Sequence, residues 1–316
     1  MKAKTADFGH SASQPRRTPI LLAPFQYLEK EWFLGYALIT PACILIAGLV
    51  AYPFIIALGF AVSDKVIGHS GNFVGLTNFK NLLQWPVFLQ TVWNSFTFTF
   101  YALLLKVGLG MILALLMEKI VWGKNLFRGA VLLPFIVPTA LSTVAWWKML
   151  DPQYNIFNWI GTSIGIIEQG PNWLGDPFWA KVSVILVNAW RGMPFFAISI
   201  LAGLVAIPRD LYDAATVDGA GPINQFRYVT LPMLKPILSV VILFSIIFTF
   251  ADFDVVWVLT RGGPTNSTHL FATLAYNTGL VSTKIGEGAA IALFLFPVLV
   301  ITVVIQLHLI RKDSTE

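Results

Sequence analysis

Apolar residues run along this chain in long blocks rather than alternating with polar residues. Six blocks carry few charges: Phe33 to Phe60, Leu89 to Met117, Gly129 to Leu150, Lys181 to Ala206, Pro236 to Val258 and Gly288 to Ile310. At 1.5 Å per residue, about 20 helical residues cross a hydrocarbon core roughly 30 Å thick, so each block is long enough to span it. The pattern predicts an all-α, polytopic integral membrane protein with six transmembrane helices. Prolines 41, 53, 134, 138, 194 and 297 fall inside the blocks. They would break helices in water, but in a bundle the neighbouring helices satisfy the freed carbonyls.

Residues 1–31 are different in kind, with Pro15, Pro19, Pro24 and the pair Arg16-Arg17. They read as an N-terminal tail with an interfacial segment at Ile20 to Tyr27. No cleavable signal is expected ahead of the first block, which is too long for a signal h-region. The expected organisation is a tail at 1–31, a first transmembrane helix at 33–60, and a core of five helices at 89–310.

Composition agrees with this reading. Apolar residues make up 56% of the chain, or about 64% with the 24 glycines included, against roughly 45–50% in a soluble domain. Charged residues are 12% against roughly 25%, and the mean hydropathy is +0.73. There is too little polar surface to cover a globule of this size. Disorder, coiled coil and nucleic-acid binding are excluded as the main role. The single cysteine, Cys43, leaves no intrachain disulfide to form.

The net charge of +5 is placed unevenly. The tail, the loops after the second and fourth blocks, and the C-terminus hold 13 Lys and Arg residues, whereas the opposite loops and span ends hold six. Basic loops stay cytoplasmic, so both termini are expected in the cytoplasm. The segment after the third block, with Asp151-Pro152, Gly170-Pro171 and Gly175-Asp176-Pro177, is then external and turn-rich.

The cytoplasmic loop 208–236 carries the most specific signal. Pro208 near a helix start, Asp210 in the first turn and Gly219 after the last predict a helix of about nine residues. A helix that short is marginal in water and needs something to dock into. Asp213-Ala214-Ala215, Gly219 and Val229-Thr230-Leu231-Pro232 resemble the EAA loop of permease subunits in binding-protein-dependent ABC importers. In that family the pattern reads Glu-Ala-Ala, three residues, Gly, nine residues, then Ile-x-Leu-Pro, so this chain departs from it with Asp for Glu and Val for Ile. Trp190-x-x-x-Pro194-Phe195-Phe196, Ala202-Gly203-Leu204 to Ile207-Pro208, and Phe253-Asp254 with Leu259-Thr260-x-Gly262-Gly263-Pro264 resemble the sugar-importing branch.

The resemblance implies a type I ABC importer permease fold and a pathway for a sugar or related polar solute. It implies as partners a second six-helix permease, two ATPase subunits or domains that carry ATP and Mg, an external solute-binding protein and the lipid bilayer, with no nucleic acid. Leu211, Tyr212, Asp213, Ala214, Ala215, Asp218 and Gly219 would dock the ATPase. No phosphate-binding Gly-x-x-x-x-Gly-Lys-[Ser/Thr] motif occurs in the sequence, so hydrolysis is expected on another polypeptide and no cofactor on this one.

Charges inside the blocks are costly, at about 2.5 to 3.5 kcal/mol each on insertion scales. Lys106 has a stem long enough to snorkel. Trp190, Arg191, Asp252, Asp254 and Trp257 combine planar polar groups with aromatic faces, the chemistry that holds sugar hydroxyls and C–H patches. These five form the expected substrate site, with an Arg191–aspartate ion pair as the structural alternative. Two rival classes remain. A stand-alone carrier or channel suits six spans but leaves the docking loop without a purpose. A membrane glycosyltransferase finds an Asp-x-Asp in Asp252-Phe253-Asp254, but His10, His69, His269 and His308 are scattered, and the sequence assembles neither a metal cluster nor a catalytic nucleophile.

Overall fold

The computed structural model describes residues 31–120 and 122–313. The expected tail, with its interfacial segment, therefore lies outside the described residues apart from Glu31. Among those described, regular structure is helical, and the only β pairing is an isolated bridge between Ser63 and Phe73. The chain divides into two units, Met1–Ile56 and Ala57–Glu316. The smaller holds α1 (Glu31–Ile46), a π-helical turn at Ala47–Ala51 and the start of α2 (Tyr52–Ala61). This run is apolar on all sides, as expected for a helix solvated by lipid.

In the larger unit, α3 (Thr77–Gln84) leads into α4 (Pro86–Lys119), whose 34 residues reach about 50 Å. Then follow α5 (Lys124–Ile136), α6 (Thr139–Met149) and α7 (Ile156–Ser163), the last capped by Asn155 Oδ1, which accepts from the Asn158 N–H at 2.9 Å. Asp176 caps α8 (Pro177–Ala206) by accepting from the N–H groups of Phe178 and Trp179, with Pro177 at the first helical position, where its missing N–H costs nothing. The remainder is α9 (Arg209–Val217), α10 (Pro222–Gln225), a π-helical turn at Phe226–Thr230, α11 (Leu231–Phe250), α12 (Asp254–Leu259), α13 (Phe271–Tyr276), a second such turn at Asn277–Val281, and α14 (Ile285–Asp313).

Helix α8 is the centre of this unit. It packs along α4, where Gly110 makes room: a Cβ there would lie 2.4 Å from Phe196 Cβ. Around this contact Met117, Phe196, Ile200, Leu204 and Leu234 form a core at the end nearer α9. Val184, Val187, Val255 and Leu259 form another at the opposite end, and Phe88, Phe271, Leu274 and Ile291 a third beneath α14.

Among the described residues, five helical runs are long and apolar enough to cross a membrane: Leu34–Ala61, Pro86–Lys119, Pro177–Ala206, Pro222–Phe250 and Ile285–Gln306. The third expected span is not one straight helix. Its helices α5 and α6 meet at 90° and make a sixth crossing only if taken together. Pro138 is the cause: the residue before a proline is pushed out of the helical region, and Val137 is extended with ψ 132°. The fifth span also differs from expectation. It ends at Phe250 rather than Val258, and α12 is a separate helix after a break at 251–253.

Candidate functional site

Two regions bear on function, the loop around α9 and the end of the bundle where α11 gives way to α12. The first contains the nine-residue helix at Arg209–Val217 that the sequence predicts. Pro208 precedes it, and Gly219 follows it in the left-handed region with φ +80°. The Gly219 N–H donates to Thr216 O, and the Ala220 N–H to Ala215 O at 2.8 Å, which closes the helix C-terminus. Tyr212 anchors the helix through a 2.9 Å hydrogen bond between its hydroxyl and that of Thr230, and Gln225 Nε2 donates to Thr216 Oγ1 at 2.9 Å. Leu211, Asp213, Ala214, Asp218 and Gly219 are exposed, whereas Tyr212 and Ala215 are half-buried. A cavity of about 860 Å³ opens beside them, with Glu118, Lys119, Arg209, Asp213 and Phe226 in its wall. Val217 and Ile223, 88% and 81% exposed, stand free on the same loop.

At the other region the five expected substrate residues separate into three environments. Asp252 is buried. Its Oδ2 accepts from Asn188 Nδ2 and its Oδ1 from the Val255 N–H at 3.2 Å, so the carboxylate ties α8 to the start of α12. Arg191 pairs with neither aspartate. Its Nη1 donates to Thr139 Oγ1 at 2.9 Å, joining α8 to α6, and the only ion pair within 4 Å among the described residues is Lys284–Glu287.

Lys106 does not snorkel. It is 5% exposed and donates to Thr249 Oγ1 at 2.9 Å, while the Thr249 hydroxyl donates to Ser245 O. Gly192 makes this possible, since a Cβ there would sit 2.5 Å from Lys106 Cε. Lys106, Asn188, Arg191, Thr249 and Asp252 thus lie in one polar layer inside an apolar bundle. Within it, Asn188 Oδ1 is buried without a partner among the described residues.

Asp254 is exposed at the start of α12, one turn before Trp257. Trp257 stacks on Phe253, with centroids 5.5 Å apart and planes at 17°, and Tyr276 meets both rings edge-on at 4.8 and 5.1 Å. The sequence reading missed Tyr276, which lies 19 residues beyond Trp257 and gives no local signal of the contact. Trp190 belongs elsewhere. It packs edge-on against Trp146 and lines a cavity of about 450 Å³ whose other walls are almost wholly apolar, including Leu109, Phe157 and Met193. A sugar needs hydroxyl partners that this cavity lacks.

Comparison with known proteins gives a consistent result. The family model described as binding-protein-dependent transport system inner membrane component matches residues 106–312. The trehalose/maltose transport system permease protein MalF of Thermococcus litoralis is 32% identical over 295 residues, covering 93% of this chain and 99% of that one. The sulfoquinovosyl glycerol transport system permease protein SmoG of Agrobacterium fabrum is 31% identical over 286 residues, covering 89% and 91%. Among solved structures, a chain of a bacterial ABC transporter involved in the import of the acidic polysaccharide alginate superposes with a TM-score of 0.77 at 23% identity, covering 92% of this chain and 99% of that one, which shows the fold.

Proposed function

Because the chain belongs to the binding-protein-dependent transport system inner membrane components, the permease subunits of ABC importers, we propose that it forms, with a second six-helix permease, the pathway through which a saccharide delivered by an external solute-binding protein crosses the inner membrane. The observation that carries this reading is the loop around α9. A nine-residue helix with exposed Leu211, Asp213 and Val217, held to the bundle through Tyr212 and Thr230, is a surface built to receive another protein. One of two ATPase subunits or domains docks on it and the other on the second permease; those ATPases bind ATP and Mg and hydrolyse the ATP. Both termini face the cytoplasm, in keeping with the 13-to-6 basic bias.

In this reading the substrate meets the Phe253–Trp257–Tyr276 rings and the Asp254 carboxylate, with Asn188 Oδ1 as a further acceptor for a hydroxyl. Arg191, Asp252 and Lys106 hold the helices that present those groups. Trp190 packs in the apolar cavity and contributes little to sugar recognition. The names of two relatives, a trehalose/maltose and a sulfoquinovosyl glycerol transport system permease, support a glycoside. The test is to purify the protein from its own membrane, identify the copurifying chains, and measure saccharide uptake in cells. An ATPase and a second permease should copurify, and uptake should survive collapse of the ion gradients but stop when ATP is depleted. Uptake that follows the ion gradient would instead make the protein a secondary carrier.

A further inference from the structure

A cleft of about 650 Å³ lies in the larger unit where the α3–α4 corner meets the α13–α14 junction. That volume is within the roughly 300–1,000 Å³ typical of small-molecule sites. Its chemistry is the opposite of the apolar cavity at Trp190. Asn81, Gln84, Asn266 and Asn277 bring amides to its walls, and Trp85 brings a half-buried indole. The two charged residues of the lining, Lys284 and Glu287, are paired with each other at 3.0 Å, so the cleft presents no net charge.

The walls are fixed without help from a ligand. Asn78 Nδ2 donates to Ala61 O and Ser63 O, both at 2.8 Å, the Gly286 N–H donates to Lys65 O at 2.9 Å, and the Ile67 N–H to Thr283 O at 3.0 Å. Gly288 packs so closely on the turn at 277–281 that a Cβ would lie 2.5 Å from Gly279 Cα. By contrast, the side chains of Asn81, Gln84 and Asn277 make no hydrogen bond with any described residue. A rigid cleft with unspent amide donors and acceptors, an aromatic ring and balanced charge matches the hydroxyls and C–H faces of an uncharged sugar.

We infer that this cleft is a second saccharide site, which holds an uncharged mono- or oligosaccharide at the outer mouth of the transporter. The inference rests on the proposed function, whose orientation puts the N-terminal ends of α4 and α14 outside the membrane.

The experiment uses the assembled transporter in nanodiscs without its solute-binding protein, with trehalose and maltose as probes and saturation-transfer difference NMR as the readout. Transfer to at least one probe is expected for the wild type. Gln84→Leu combined with Asn277→Leu removes two amides and should weaken apparent affinity about tenfold. Asn277→Asp keeps the side-chain shape, loses the amide donors and should weaken it in the same direction, which guards against a misfolded double variant. Trp257→Ala removes any contribution of the interior rings, and the transfer that remains should still weaken with the cleft substitutions.

No transfer in the wild type, or unchanged affinity in the cleft variants, overturns the site. Loss of signal in Trp257→Ala alone also overturns it and moves the binding to the interior rings. Reduced capture of the solute-binding protein without saccharide transfer assigns the cleft to protein contact and overturns it as well. Saccharide-stimulated ATP hydrolysis with the binding protein present reports separately on the proposed function. Stimulation without transfer removes the cleft alone, whereas absence of both removes the saccharide reading with it.

Discussion

At the scale of single residues, neighbours in sequence have divergent fates. Asp252 and Asp254 look equivalent in the chain, yet one is buried with both oxygens engaged and the other is exposed. Gly262 is a second case. Its φ of +89° is one that side chains rarely adopt, and a Cβ there would lie 2.1 Å from the His269 ring. The imidazole fills the space this glycine leaves, 3% exposed, with Nδ1 3.2 Å from Thr273 Oγ1. Burial in this connection between spans lowers the His269 pKa from 6.5 to about 4. Between those values the unfolded chain takes up a proton that the folded chain excludes, so stability rises with pH through the window and is lost as pH falls from 6.5 towards 4. Thermal unfolding of the detergent-solubilised protein should show this falling midpoint, and His269→Gln should flatten it. A midpoint with the same pH profile in wild type and variant would show that His269 titrates alike in the folded and unfolded chain.

At the scale of elements, the loop around α9 is tied together by the Tyr212–Thr230 and Gln225–Thr216 hydrogen bonds. Nothing lies within 4 Å of a Cβ built on Gly219, so a side chain there meets no steric obstacle within the chain. The cost of substitution is conformational, about 1–2 kcal/mol for a residue forced into the left-handed region. It acts at the junction that sets the angle between α9 and α10. Gly219→Val should abolish transport with the chain still inserted in the membrane, and Asp213→Lys should do the same by reversing a charge on the docking face. Gly219→Asn, which tolerates the left-handed conformation, should retain more activity than valine. Uptake measured at matched protein levels checks all three, and normal uptake with either Gly219→Val or Asp213→Lys would rule out a coupling role for the loop.

At the scale of the whole molecule, orientation is the property with the widest consequences, since it decides which cleft meets the ATPase and which meets the sugar. With Cys43 replaced by serine, Asn125→Cys and Asn224→Cys should be shielded from an impermeant thiol reagent in intact cells, and Asn172→Cys should react. The opposite labelling pattern would invert the protein and exchange the roles of its two ends. The helical class, most of the apolar runs and the short helix at Arg209–Val217 with its glycine stop are legible in the chain alone. Hydropathy, helix caps and turn residues act over a few neighbours, and a linear reading captures them. Packing is what reveals that the third run turns through 90° at Pro138, that the fifth stops at Phe250, that Lys106 reaches Thr249 across the gap left by Gly192, and that Tyr276 closes on Trp257. In apolar runs the face a residue presents is not encoded by polarity, because nearly every position is apolar. Which side chains meet depends on how helices pack against one another, and that is fixed by the shapes of residues far apart in the chain.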